Sequence, residues 1–238
     1  MVDRASELRI HGSGARAWDG REGVLCLIFL AAIARPTFAS ELPPAPIEQS
    51  SEITVRIYNY AKVPKTTLSS AIEEARRIFQ KADVETDWAI CPIAGVPQHS
   101  NSTCNNEKHL GPAGINLRIL PQSMAARLDA HWEYIGFALS TATPGAGSDA
   151  WVFYGRVEEL AASRIVDRKL ILGAAMAHEI GHLFLGLGSH SPGGIMRARW
   201  HREEMELAGQ GYLLFTSRQS DQIRSAVRMR LQRAKIGG

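Results

Sequence analysis

The segment Leu170–Leu187, "LILGAAMAHEIGHLFLGL", constrains this chain more than any other. Its alanines and leucines read as one long helix, ending at Gly186 or Gly188, either of which can take the positive φ of a C-terminal cap. So apolar a helix belongs in a core, yet it carries His178, Glu179 and His182. Burying such groups unpaired costs several kcal/mol, so the fold that accepts the helix must also supply partners for them. Residues four apart share a helix face, with about 6 Å of rise between them. His178 and His182 can therefore aim their imidazoles at one point. Glu179 cannot share that direction, but it can reach a water held there.

Neutral imidazole is a good zinc ligand, and two on a rigid helix are already oriented. An HExxH spacing of this kind arises by chance in many chains, so its surroundings matter. Here the flanks are apolar and glycines follow at once, with His190 in the loop "GSHSPGG". Catalytic zinc takes three protein ligands and keeps one position open. His190 is the expected third ligand to a single catalytic Zn2+ held by His178 and His182, with Glu179 as general base toward a water. A competing pattern takes the third ligand from a later glutamate, Glu203 or Glu204. A core helix with incidental histidines, or a zinc-stabilised binding protein without turnover, would be the alternatives to an enzyme.

The rest of the chain supplies a scaffold of ordinary globular composition, 45% hydrophobic and 21% charged. The net charge of +3 is spread out, and no Lys/Arg cluster suggests a nucleic-acid surface. Arg4, Arg9, Arg16 and Arg21 precede an apolar run, Val24–Ala34, and then small residues. That order reads as a signal peptide over residues 1–39, cleaved near Ala39 or Ser40, and the run is short for a bilayer span. Residues 40–52 are Pro-rich and polar, a linker, and the folded domain is expected over 53–238. Cleavage would remove Cys26 and leave Cys91 and Cys104, an even count that favours a disulfide in an exported chain. His99 and His109 fit no zinc module and are expected at the surface.

Alternation marks a strand at Ile53–Tyr60, with further strands at Val84–Ile90, Ile115–Leu120, Tyr134–Thr141 and Ala150–Val157. A helix follows Pro64, with Thr67 as N-cap and Leu68, Ile72, Ala75 and Phe79 on its apolar face. His201–Ala208 reads as a short helix. Thr216 and Gln219 form a capping box for a final amphipathic helix whose arginines are a solvated face. The element order implies an α+β domain, a mixed twisted sheet of about five strands with helices packed on one side.

"HEIGHLFLGLGSH" followed by "GGIM" resembles the metzincin zinc endopeptidases, and the matrixin branch most. That motif is HExxHxxGxxH with a downstream methionine, and here the glycine and the third histidine come late, the histidine by two residues. The resemblance implies a metzincin-like zincin fold with an active-site helix and a C-terminal helix. It implies His178, His182 and His190 as zinc ligands, Glu179 as general base, and Met196 as the methionine beneath the metal. It also implies hydrolysis of peptide or protein substrates lying along an edge strand at Gly136, Phe137, Ala138 and Leu139, with Arg197, Ala198 and Arg199 shaping a specificity pocket. Leu139 and Ser140 stand where the family's structural-zinc histidines would lie, so no structural zinc or calcium is expected. Nor is a tyrosine ligand, since Ala198 occupies that place. A monomer, secreted or periplasmic and without stable membrane association after cleavage, completes the expectation.

Overall fold

A computed structural model describes residues 52–93, 104, 114–128, 133–164 and 166–236. The expected signal peptide, the linker up to Ser51, His99 and His109 lie outside the described residues. The elements run β1 (Glu52–Asn59), α1 (Lys65–Gln80), β2 (Glu85–Cys91) and β3 (Ile115–Leu120), then a short α2 (Gln122–Ala125) with a 3-10 turn. β4 (Gly136–Ala138), β5 (Asp149–Phe153), α3 (Tyr154–Arg164), α4 (Arg168–Leu185), α5 (Arg202–Gly209) and α6 (Ser217–Ile236) follow. The five strands form one mixed sheet in the order β2-β1-β3-β5-β4, parallel except for β4, which runs antiparallel to β5 at the edge. No helix among the described residues is long and apolar enough to cross a membrane.

The alternating residues of β1 (Ile53, Val55, Ile57), of β3 (Ile115, Leu117, Ile119) and of β5 (Ala150, Val152) share one sheet face. On that face lie α1, α4 and α6, contributing Ile78 and Phe79, Leu172 and Met176, and Ile223 and Val227 to a single core. The opposite face carries a smaller cluster of Leu120, Ala125 and Phe153, with Phe137 and Trp151 stacked at 4.4 Å. The expectation of helices on one side thus holds for the long ones, while short α2 sits with the second cluster.

Four local expectations are corrected, one of them in α6, where Arg230 is buried and donates to the Gly114, Gly145 and Gly147 carbonyls instead of lying on a solvated face. Thr67 does not cap α1: Pro64 precedes the first helical residue, no side chain caps the helix, and Thr67 lies within its first turn. A fixed proline φ already suits helix entry, so the helix begins directly after the ring. The fourth strand is only Gly136–Ala138, because Ser140 turns its hydroxyl to the His182 carbonyl at 3.0 Å instead of extending the ladder. The fifth strand stops at Phe153 and α3 starts at once. A short apolar run does not distinguish strand from helix by itself. Tyr154, Val157 and Ala161, spaced three and four apart and all buried, show the helical face that the strand reading absorbed.

Two other expectations are met in atomic detail. Thr216 and Gln219 exchange the reciprocal bonds of a capping box at the start of α6. Cys91 and Cys104 are joined by a disulfide, their Cα atoms 5.4 Å apart. Closing a loop of that length contributes roughly 3 kcal/mol through the unfolded chain.

Candidate metal centre

The site is assembled on α4. Asp167 caps its first turn by accepting from the Lys169 N–H, and the helix then runs buried through Ile171–Ile180. At its other end the last carbonyls lack helical partners, a general feature of helix termini. Ser140 bonds to the His182 carbonyl, and the Gly145 N–H donates to Leu183 at 2.9 Å. The glycine loop before β5 is thereby tied to the helix end that carries the second histidine. Gly186 and Gly188 have φ of 82° and 68°, values that side-chain-bearing residues rarely adopt. Those two positive angles turn the chain back, so that Ser189 and His190 return to the helix.

One ligand atom each from His178, His182 and His190 lies within 4.8 Å of the other two, and this is the group among the described residues that can hold a metal. The Nε2 atoms of His178 and His182 are 3.1 Å apart. Two nitrogens bound to one tetrahedral zinc stand about 3.3 Å apart, so the pair has the required spacing. The Nδ1 of His178 lies 2.6 Å from the Ile195 carbonyl oxygen. A carbonyl only accepts, so Nδ1 carries the proton and Nε2 presents its lone pair toward the centre. Trp200 donates its indole N–H to the same carbonyl and stands edge-on to the His178 ring.

Burial, above all, sets the protonation of these rings. It holds His178 down at about 4, against the Ile195 bond and with help from His190. His182 falls to about 3 for the same cause, reinforced by His178 and His190, and burial lowers His190 as well. All three are neutral near pH 7, the form that ligates.

Glu179 is buried beside them, and burial pushes its carboxyl well above the usual range. Its Oε2 has no hydrogen-bond partner. A buried carboxylate oxygen of that kind is free to accept from a group entering the adjoining cleft. That cleft, about 250 Å3, is bounded by the three histidines, Glu179 and the edge-strand residues Gly136, Phe137 and Ala138. Leu139, the fourth edge-strand residue expected there, is 57% exposed and does not line it. Gly136 has a steric reason. A Cβ there would meet the Trp151 carbonyl at 2.1 Å and Glu179 Oε1 at 2.8 Å. Gly136→Ala is therefore expected to shift β4 and Glu179 together, cutting any Glu179-dependent turnover while circular dichroism keeps the helical signal. Unchanged turnover would mean that β4 does not set the carboxylate's position.

Met196 is fully buried, and its sulfur sits 2.8 Å from where a Cβ on Gly181 would lie, one residue before His182. Its loop is closed by the Ser191 N–H to the Met196 carbonyl and by the Ile195 N–H to Leu214. Glu203 and Glu204 are not drawn into the metal group. The Glu204 carboxylate accepts from Arg197 at 2.7 Å and from the His201 N–H at 2.9 Å, completing the capping box of α5. Burial would raise its pKa, but these donors hold it lowered, an ionised group already committed to structure.

Ser189 has no counterpart in the sequence reading. Its hydroxyl is 2.8 Å from His182 Nδ1, the nitrogen facing away from the centre. No spacing rule links it to His182, seven residues earlier. Partners of this kind orient a ligand ring, and losing one typically weakens metal binding by about 10–100-fold. Ser189→Ala is expected to raise the zinc dissociation constant by about tenfold in a chelator competition titration. Equal affinities would deny Ser189 that role.

No protein-family model matches the chain, and no curated protein matches it. Among solved structures, the chain is similar in layout to a zinc-dependent peptidase from Methanocorpusculum labreanum (strain Z), with a TM-score of 0.44 and 17% identity over 71% of this chain and 99% of that one. It is also similar to an archaemetzincin from Methanopyrus kandleri, with a TM-score of 0.43 and 13% identity over 76% of this chain and 99% of that one.

Proposed function

We propose that this protein is an exported zinc-dependent endopeptidase of the metzincin kind, acting as a monomer on peptide or protein substrates in a secreted or periplasmic setting. The observation that carries this reading is the convergence of His178, His182 and His190 within 4.8 Å, beside a buried Glu179 oxygen that lacks a partner. The Cys91–Cys104 disulfide supports the oxidising compartment.

Zinc, when bound by the three imidazoles, lowers the pKa of water toward neutrality and polarises a carbonyl. His178 and His182 contribute Nε2 lone pairs, and the Ile195 carbonyl keeps the His178 proton on Nδ1. Glu179 takes a proton from water and later passes it to the leaving amine. A substrate lies extended against β4, whose outer edge is unpaired among the described residues, adding a strand through main-chain hydrogen bonds. Met196 packs beneath the helical turn and keeps its spacing.

The test pairs metal analysis of the purified mature protein with cleavage of unfolded protein and peptide libraries. About one zinc per chain, and cleavage abolished by a chelator and restored by zinc, are the expected results. Zinc-replete protein that cleaves nothing in broad libraries would leave a binding role instead.

A further inference from the structure

A second cavity, of about 300 Å3, adjoins the metal cleft and shares Ile135, His178 and Ala198 with it. A peptide with its reacting carbonyl at the histidines and its backbone along β4 would direct a neighbouring side chain into this space. Arg156, Arg197 and Arg199 line it, with Glu133 the one carboxylate among the described residues of its wall. Each arginine has an acidic partner: Arg156 with Glu159 at 2.8 Å, Arg197 with Glu204 at 2.7 Å, and Arg199 with Glu133. Neither Glu159 nor Glu204 reaches the cavity wall, so three guanidiniums face the space against one carboxylate. A guanidinium offers five N–H donors in a fork, more than a single carboxylate accepts. Ile135, Leu160 and Trp200 give the same cavity an apolar side suited to a methylene stem.

We propose that this cavity receives an acidic side chain, aspartate or glutamate, at one position flanking the bond to be cleaved. The proposal rests on the peptidase reading above and names its substrate class. A glutamate's carboxylate meets the exposed fork of Arg199 and the half-buried fork of Arg197, while its stem packs on Leu160 and Trp200. A free peptide C-terminus carries the same chemistry, so the test separates the two sources.

The probe is a random hexapeptide pool, blocked at both ends, passed over immobilised, zinc-loaded Glu179→Gln protein, with the retained peptides sequenced. Aspartate and glutamate together are expected to be enriched about fivefold at a single position. Adding Arg199→Gln, a residue whose side chain is 61% exposed and so tolerant of change, is expected to reduce the enrichment; adding Glu133→Gln is expected to increase it. Acidic residues retained no better than glutamine and asparagine at every position would overturn the proposal. A parallel pool with a free C-terminus that alone is retained, without side-chain preference, would overturn it too. Cleavage of unfolded protein by the unaltered enzyme reports on hydrolysis separately. Turnover without acidic selectivity removes the pocket assignment alone, and acid-selective retention without turnover removes only the hydrolytic reading.

Discussion

Glu179→Gln protein is expected to bind zinc as tightly as the unaltered protein and to cleave unfolded protein about a hundred- to ten-thousand-fold more slowly, the usual contribution of a positioned general base. The amide has nearly the carboxyl's shape, so it keeps its place against Gly136, where the available space is set by a missing Cβ. It cannot take up a proton. The carboxyl is buried without a partner for Oε2, so its removal breaks no internal hydrogen bond at that atom and should not lower stability. Zinc content by mass spectrometry, thermal melting and turnover on the same preparation separate these effects. Equal turnover in both proteins would transfer the proton-accepting role elsewhere. Loss of zinc together with activity would show that Glu179 serves the metal itself.

His190→Ala is the second large effect. Removing a direct ligand should weaken zinc binding by more than about a hundredfold, beyond what loss of an outer partner such as Ser189 costs. His178 and His182 would remain 3.1 Å apart on the helix, but as a two-ligand site. The contrast is Glu204→Gln. That carboxylate holds Arg197 and the His201 N–H, so its loss should cost about 1 kcal/mol at the start of α5 and leave zinc affinity unchanged. Chelator competition on both variants decides between them. If Glu204→Gln lost the metal and His190→Ala kept it, the third ligand would be the glutamate and the loop histidine would be incidental.

Much of this architecture could be read before any coordinates. β3 falls at Ile115–Leu120, as the alternation of its apolar residues indicates. The capping box at Thr216 and Gln219 is local chemistry, and local chemistry survives folding. The disulfide followed from two cysteines flanking one polar loop. The errors also have local causes. Pro64, not Thr67, is the entry to α1, and the segment beyond Phe153, expected as strand, buries Tyr154, Val157 and Ala161 at a period near 3.6.

A helix carrying two histidines four apart, with a carboxylate between them, is dictated by residue order alone, because helical geometry fixes which neighbours share a face. So is the need for a bend after it, which Gly186 and Gly188 make permissible. The direction of that bend is another matter. Bringing His190 to the other rings, seating Ser189 against His182 and placing the Ile195 carbonyl at His178 all occur in one loop. That loop is tied to Leu214 and Gln219 further along the chain, on a helix end tied to Gly145 before it. The space beside Glu179 likewise exists because β4 pairs with β5 and Gly136 lacks a side chain. Contacts of this kind are settled when the whole core packs, since each side chain takes the volume and the partners that its neighbours leave.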